Sequence, residues 1–225
     1  MGDFAIIAEG ITDQVVIKNL LLGIHADQDE EPFVTFEQPR LDESARQGEH
    51  AAGGWTLVLQ YFREGLYKQA LQTNTYLVIH IDTDISEDYG VGKGSDGGAL
   101  IGRVVAKFQA LVEDSIWQAH GDRFIFAIAV HEIECWLLPL LFETQRAKMA
   151  KITGCFDAAE HQLKKLGRPR LTNREGGKDP FGYEKASADY RKYKVLMRLR
   201  GSNSSLNAFV TEVERRNIVI PTTTG

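Results

Sequence analysis

Apolar residues follow two rhythms along this chain. Largely apolar runs at residues 4–8, 77–81 and 124–130 alternate with stretches whose apolar positions recur near every 3.6 residues. Such short runs mark strands buried on both faces, as in parallel sheets. Residues 3–8, 76–81 and 123–130 are therefore predicted strands, and residues 32–37 a weaker one. Residues 13–22 carry helical spacing, with Thr12 offered as the N-cap. Leu57, Val58, Tyr61, Phe62, Leu66 and Ala70 predict one helix over 55–71, and 99–112 reads as an amphipathic helix. Residues 132–142, 144–165, 183–200 and 203–216 also read as helical, the second of these as one or two helices. Loops are expected at 39–54, at 82–98 with its five glycines, and at 166–182 around Pro169 and Pro180. The last residues, 221–225, read as a frayed end. Strand and helix alternate four times and helices follow, which predicts an α/β fold with a mainly parallel four-stranded sheet and a helical C-terminal extension.

Composition changes this picture little. The 225 residues are 43% hydrophobic and 25% charged, which is ordinary for a soluble protein. No apolar run approaches the roughly 20 residues that span a bilayer, so no membrane role is expected. No signal-peptide pattern opens the chain, and a cytoplasmic location is the expectation. Cys135 reads as core, Cys155 as a free thiol, and no disulfide is expected between them. Charge is more informative. Residues 146–200 hold 15 Lys/Arg against 6 Asp/Glu, within a chain whose net charge is −5. An acidic half suits a metal and a basic half suits a polyanion, although an uneven solvated surface gives the same count.

The chemistry gathers at the predicted strand ends. Glu9 leaves the first strand, Asp82 and Asp84 leave the third, and Glu132 and Glu134 follow the fourth. Strand ends of an open α/β sheet share one edge, where ligands bind. Carboxylates brought together there suit Mg²⁺ or Mn²⁺ and, through the ion, phosphate. Glu9 ends a buried strand and needs a partner. Asp13, one helical turn later, reads equally as a partner of the helix dipole or as a participant. Asp82 and Asp84 are two apart and share a side if the chain stays extended. Glu132 and Glu134 read as further ligands or as first-turn helix residues; Glu87 and Asp88 read as solvated. His131 reads as a local hydrogen-bonding group and Trp136 as core. Gly92-Lys93-Gly94-Ser95 lacks the glycine and hydroxyl spacing of a phosphate loop, yet Lys93 is placed to approach a phosphate.

This order of motifs resembles the Toprim domain of topoisomerases, primases and OLD-type nucleases. The resemblance rests on Glu9-Gly10 with Thr12-Asp13, on Asp82-Thr83-Asp84, on Glu132-Ile133-Glu134-Cys135-Trp136-Leu137-Leu138, and on the later Ser205 and Phe209. It covers roughly residues 3–142, which sets a Rossmann-like catalytic domain at 1–142 and a basic helical extension at 143–225. The resemblance implies a metal-dependent nuclease, similar to proteins of bacterial anti-phage defence. Glu9, Asp82 and Asp84 would be catalytic and would bind Mg²⁺ or Mn²⁺, with Glu132 and Glu134 as second-metal ligands. Relatives are often paired with a separate ATPase subunit, so such a partner is implied. Lys164, Lys165, Arg168, Arg191, Lys194 and Arg198 would join Lys93 in gripping DNA or RNA, with Tyr183, Tyr190 and Tyr193 as stacking aromatics. Two rival readings are a haloacid-dehalogenase-like phosphatase, which also uses Asp-x-Asp, and a non-catalytic Toprim-like sensor subunit. The sequence leaves oligomeric state open.

Overall fold

A computed structural model describes residues 2–39, 54–94 and 96–222. The expected loop at 39–54 and the frayed end lie almost wholly outside those residues. The four expected strands form one all-parallel sheet in the order β2-β1-β3-β4. They are β1 (Gly2–Ile7), β2 (Val34–Gln38), β3 (Asn74–Asp82) and β4 (Phe124–Ala129). Helices flank the sheet on both faces, so the chain has the α/β architecture read from its sequence.

Strand periodicity divides the core into two clusters. Phe4, Ile6, Val78, Ile125 and Ala127 face one cluster, and Ala5, Ile7, Leu77, Ile79, Ile81 and Ile128 face the other. On the second face lie α2 (Gly54–Arg63), α3 (Tyr67–Thr73) and α4 (Gly97–Gln109). A single helix was expected over 55–71. Gly65 breaks it at φ +71°, a conformation that side chains with a Cβ resist. A short α5 (Asp114–His120), with no buried residue, precedes β4 and was not foreseen.

On the first face, α1 (Ile11–Ile24) packs with helices that follow the sheet. These are α6 (Glu134–Leu141), α7 (Arg146–Met149), α8 (Cys155–Lys165), α9 (Pro180–Ser187), α10 (Tyr193–Leu199) and α11 (Ser204–Arg215). Residues beyond 142 share one buried cluster with Phe4 and α1. The single helix expected over 183–200 is split by a 3₁₀ turn at Ala188–Arg191. That split leaves Arg191 in the 3₁₀ turn, off the helix that carries Lys194 and Arg198. Thr12 is not the cap of α1. Gly10 holds that place, and Asp13 Oδ2 accepts its amide at 2.8 Å.

The strand order decides where chemistry can occur. From β1 the chain crosses to β2 on one side, then returns past β1 to β3 on the other. Connections diverge between β1 and β3, and the crevice at their C-terminal ends is the usual ligand position of open α/β sheets. Glu9 and Asp82 leave those two strands.

Candidate metal centre at the sheet edge

The first contact is direct: Asp82 donates its backbone N–H to Glu9 Oε1 at 2.7 Å. His80, two residues before Asp82, faces the same side of β3 and is fully buried. Its Nδ1 lies 2.6 Å from the Ala127 carbonyl, a contact that requires a proton on Nδ1. Nε2 then points at carboxylates, 3.3 Å from Asp82 Oδ1 and 4.0 Å from Asp13 Oδ2. The 3.3 Å approach is an ion pair, and neither His80 Nε2 nor Asp82 Oδ1 has an aligned hydrogen bond. Glu134 is buried at the start of α6, where Oε1 meets Lys178 Nζ at 2.7 Å and accepts from the Tyr183 hydroxyl. Its Oε2 is buried and unpartnered.

Protonation follows from this crowding. Burial, then the charges of Asp82 and Asp13, push Glu9 up to about 8. Burial raises Asp82 to about 7 against the opposing His80. Asp13 is also raised, chiefly by burial. Burial would lower His80, but Asp82, Asp13 and Glu9 outweigh it and hold the imidazole at about 9. Tyr89, which donates to the Asp82 carbonyl at 2.8 Å, is raised by burial and then by Glu9, Asp82 and Asp84. Carboxylates that resist ionisation beside one another are the electrostatic mark of a cation site.

The expected ligands are therefore unequal. Glu9, Asp82 and Glu134 belong to one electrostatic cluster. Asp84 stands at its margin: β3 ends at Asp82, and the amides of Thr83 and Asp84 both turn to the His131 carbonyl. The extended path that would align Asp84 with Asp82 is not kept, and the Asp84 carboxylate accepts the Ile85 amide instead. Glu132 has another task. Its Oε1 accepts the amides of Cys155 and Phe156 at 2.7 and 3.0 Å, capping α8. Cys135 and Cys155 are joined by a disulfide, contrary to the reading of Cys155 as a free thiol. Glu132 and the two sulfurs lie within 4.8 Å of one another, but the sulfurs are bonded and Glu132 is engaged, so this group makes no second centre here.

Sequence reasoning underweighted Asp13 and missed His80, Lys178 and Tyr183. His80 had a signal: an ionisable side chain inside the most apolar strand, in period with Asp82. Lys178 had none, because it comes from a turn some 40 residues after α6. Thr172 bridges Lys178, and Glu160 holds that turn through Arg170 and Thr172, both at 2.7 Å. Gly54 was also missed. A Cβ there would lie 2.5 Å from the Glu9 carbonyl and 2.7 Å from Glu9 Cβ, so α2 can start beside Glu9 only with glycine.

The basic residues are more dispersed than expected. Lys93, Lys164, Lys165, Arg168 and Lys194 are exposed. Arg191 is held by Glu184 and Asn19, and Arg198 by Glu143. Tyr183 and Tyr190 are fully buried and cannot stack on bases; Tyr193 is exposed. Trp136 is core, stacked on Phe209, bonded to Ser205 Oγ at 2.8 Å and edge-on to His80. Among the described residues, no helix is long and apolar enough to cross a membrane. Comparison with protein-family models, curated proteins and solved structures finds no match to this chain.

Proposed function

We propose that this chain is a Toprim-type, metal-dependent nuclease that hydrolyses phosphodiesters of DNA or RNA. The observation that carries it is the Glu9 carboxylate on the Asp82 amide at adjacent strand ends, with Asp82 Oδ1 buried beside them, without a hydrogen bond and 3.3 Å from His80 Nε2. This donor set suits a hard divalent ion such as Mg²⁺ or Mn²⁺, with Glu9 and Asp82 as ligands and Asp84 and Asp13 near. Such an ion supplies charge neutralisation of the phosphodiester and orientation of the attacking water. The protein's own groups do the rest. His80 orients Asp82, and Tyr89 holds its carbonyl. Glu9, raised by burial, can hold or release a proton at the edge of the site when it does not bind the ion. The exposed Lys164, Lys165, Arg168, Lys194 and Lys93 offer phosphate contacts.

A cytoplasmic place in bacterial anti-phage defence, with a separate ATPase partner, completes the proposal and rests on the motif resemblance. In a reducing cytoplasm Cys135 and Cys155 would be thiols. The test is cleavage of plasmid DNA and tRNA with Mg²⁺, Mn²⁺ or EDTA, using wild type, Glu9→Gln and Asp82→Ala. Cleavage confined to metal-loaded wild type supports the reading. Equal activity in all three proteins sinks it, and metal-independent binding without cleavage favours a sensor role.

A further inference from the structure

Glu134 is treated differently from the other acids of the cluster. Among the described residues, no lysine or arginine bonds to Glu9, Asp13 or Asp82, and His80 Nε2 lies 3.3 and 4.0 Å from Asp82 and Asp13. Glu134 already has its cation. Lys178 Nζ sits 2.7 Å from Oε1, its ammonium lies over the Tyr183 ring at 5.7 Å, and the Tyr183 hydroxyl donates to the same oxygen. Burial lowers the Lys178 ammonium, but Glu134, Asp13 and Asp82 outweigh that and hold it above the ordinary lysine range. Half of the Lys178 side chain, 49%, stays open to solvent, so its other N–H donors can meet a ligand.

We propose that Lys178 is a built-in second cation: it fills at Glu134 the place a second divalent ion would take, so the centre holds one metal ion. This rests on the metal-centre reading above. Placement supports it. Lys178 rides on a turn fixed to α8 by Glu160 and closed by the Asp179 amide on the Leu171 carbonyl at 2.7 Å, so it is positioned rather than free. A lysine is a compact point charge with several donors, able to neutralise Glu134 and touch a phosphate oxygen together.

The test counts ions. Mn²⁺ binding to the full chain is measured by calorimetry and by the electron paramagnetic resonance of free Mn²⁺, with circular dichroism to confirm folding. Wild type is expected to bind one Mn²⁺ per chain. Lys178→Met, which frees Glu134, is expected to bind two, and Lys178→Arg one. Glu134→Gln is expected to keep the single ion, and this variant tests the proposal even if Lys178→Met fails to fold. Two ions on wild type, or loss of the ion in Glu134→Gln, would overturn the role of Lys178 while leaving the metal centre standing. No ion on folded wild type would overturn both.

Discussion

The two ends of the sheet treat charge in opposite ways. At the strand starts, Arg123 reaches across to the carbonyls of Leu71, Asn74 and Thr75 at 2.6–2.7 Å. Asn74 there donates to the Ala70 carbonyl and accepts from Thr35. Arg216 Nη2 holds the Phe124 carbonyl and Glu212, while its buried Nε has no hydrogen-bond partner. A cleft of about 470 Å³ lies at this end, lined by Tyr76, Trp117, Asp122 and Arg216 among others. At the strand ends, carboxylates crowd one another, and buried atoms of His80, Asp82 and Glu134 go without a hydrogen bond. Buried polar groups are normally satisfied, and exceptions need a cause. That cleft is therefore the poorer functional candidate: its Arg215, Arg216 and Glu212 are spent on one another and on the Phe124 carbonyl. The acidic edge carries polar groups that the fold alone does not satisfy.

That contrast can be broken from either end. The largest expected effect is on activity at the acidic edge. Asp82→Asn or Glu9→Gln should lower metal-dependent cleavage on the order of 100-fold or more, the scale of losing one preorganised electrostatic contact. Circular dichroism should show both variants folded. The converse holds for Arg123→Ala, which strips three carbonyls of their donor. It should cost about 3 kcal/mol in denaturant unfolding, with unchanged cleavage per folded molecule. Activity loss without destabilisation would erase the contrast.

A smaller effect is expected at Gly54. Gly54→Ala forces the Glu9 backbone aside, and a shift of that kind should weaken cleavage about 10-fold; Mn²⁺ affinity, read by calorimetry, should fall with it. The pH response sharpens the same point. Glu9, Asp82 and His80 all have folded values above their unfolded ones, at about 8, 7 and 9. Each binds its proton more tightly in the folded chain. Their stabilisation is present at low pH and is lost as pH rises from about 4 to about 9. The melting temperature in EDTA should fall across that window, and the gain from Mg²⁺ should grow. A flat profile would mean that the cluster is not strained. The smallest effect is on the surface: Lys164→Glu and Lys165→Glu should each reduce the salt dependence of nucleic-acid binding by about one unit of slope.

Much of this was legible in the residues. The three apolar runs are the three most deeply buried strands, and the acids at their ends arrive at one edge because the sheet is parallel. Local pattern could not place Lys178 and Tyr183, whose approach to Glu134 depends on how residues beyond 142 fold back over α1. Asp84 and Glu132 were misjudged for a shared reason. Both meet amides: Asp84 takes that of the next residue, a local contact, and Glu132 takes those of Cys155 and Phe156, which only the tertiary fold brings near. The basic residues depend on helix continuity, since the 3₁₀ turn at Ala188–Arg191 separates Arg191 from Lys194 and Arg198, while Tyr183 on α9 and Tyr190 in the turn both pack into the core.

The central claim is that Glu9 and Asp82 together hold a divalent ion. Its most direct test is Mn²⁺ retention by wild type and by folded Asp82→Asn, read from the free-ion resonance signal at equal protein concentration. The account predicts that wild type removes Mn²⁺ from solution and that Asp82→Asn leaves it free. Equal retention by the two proteins would contradict it.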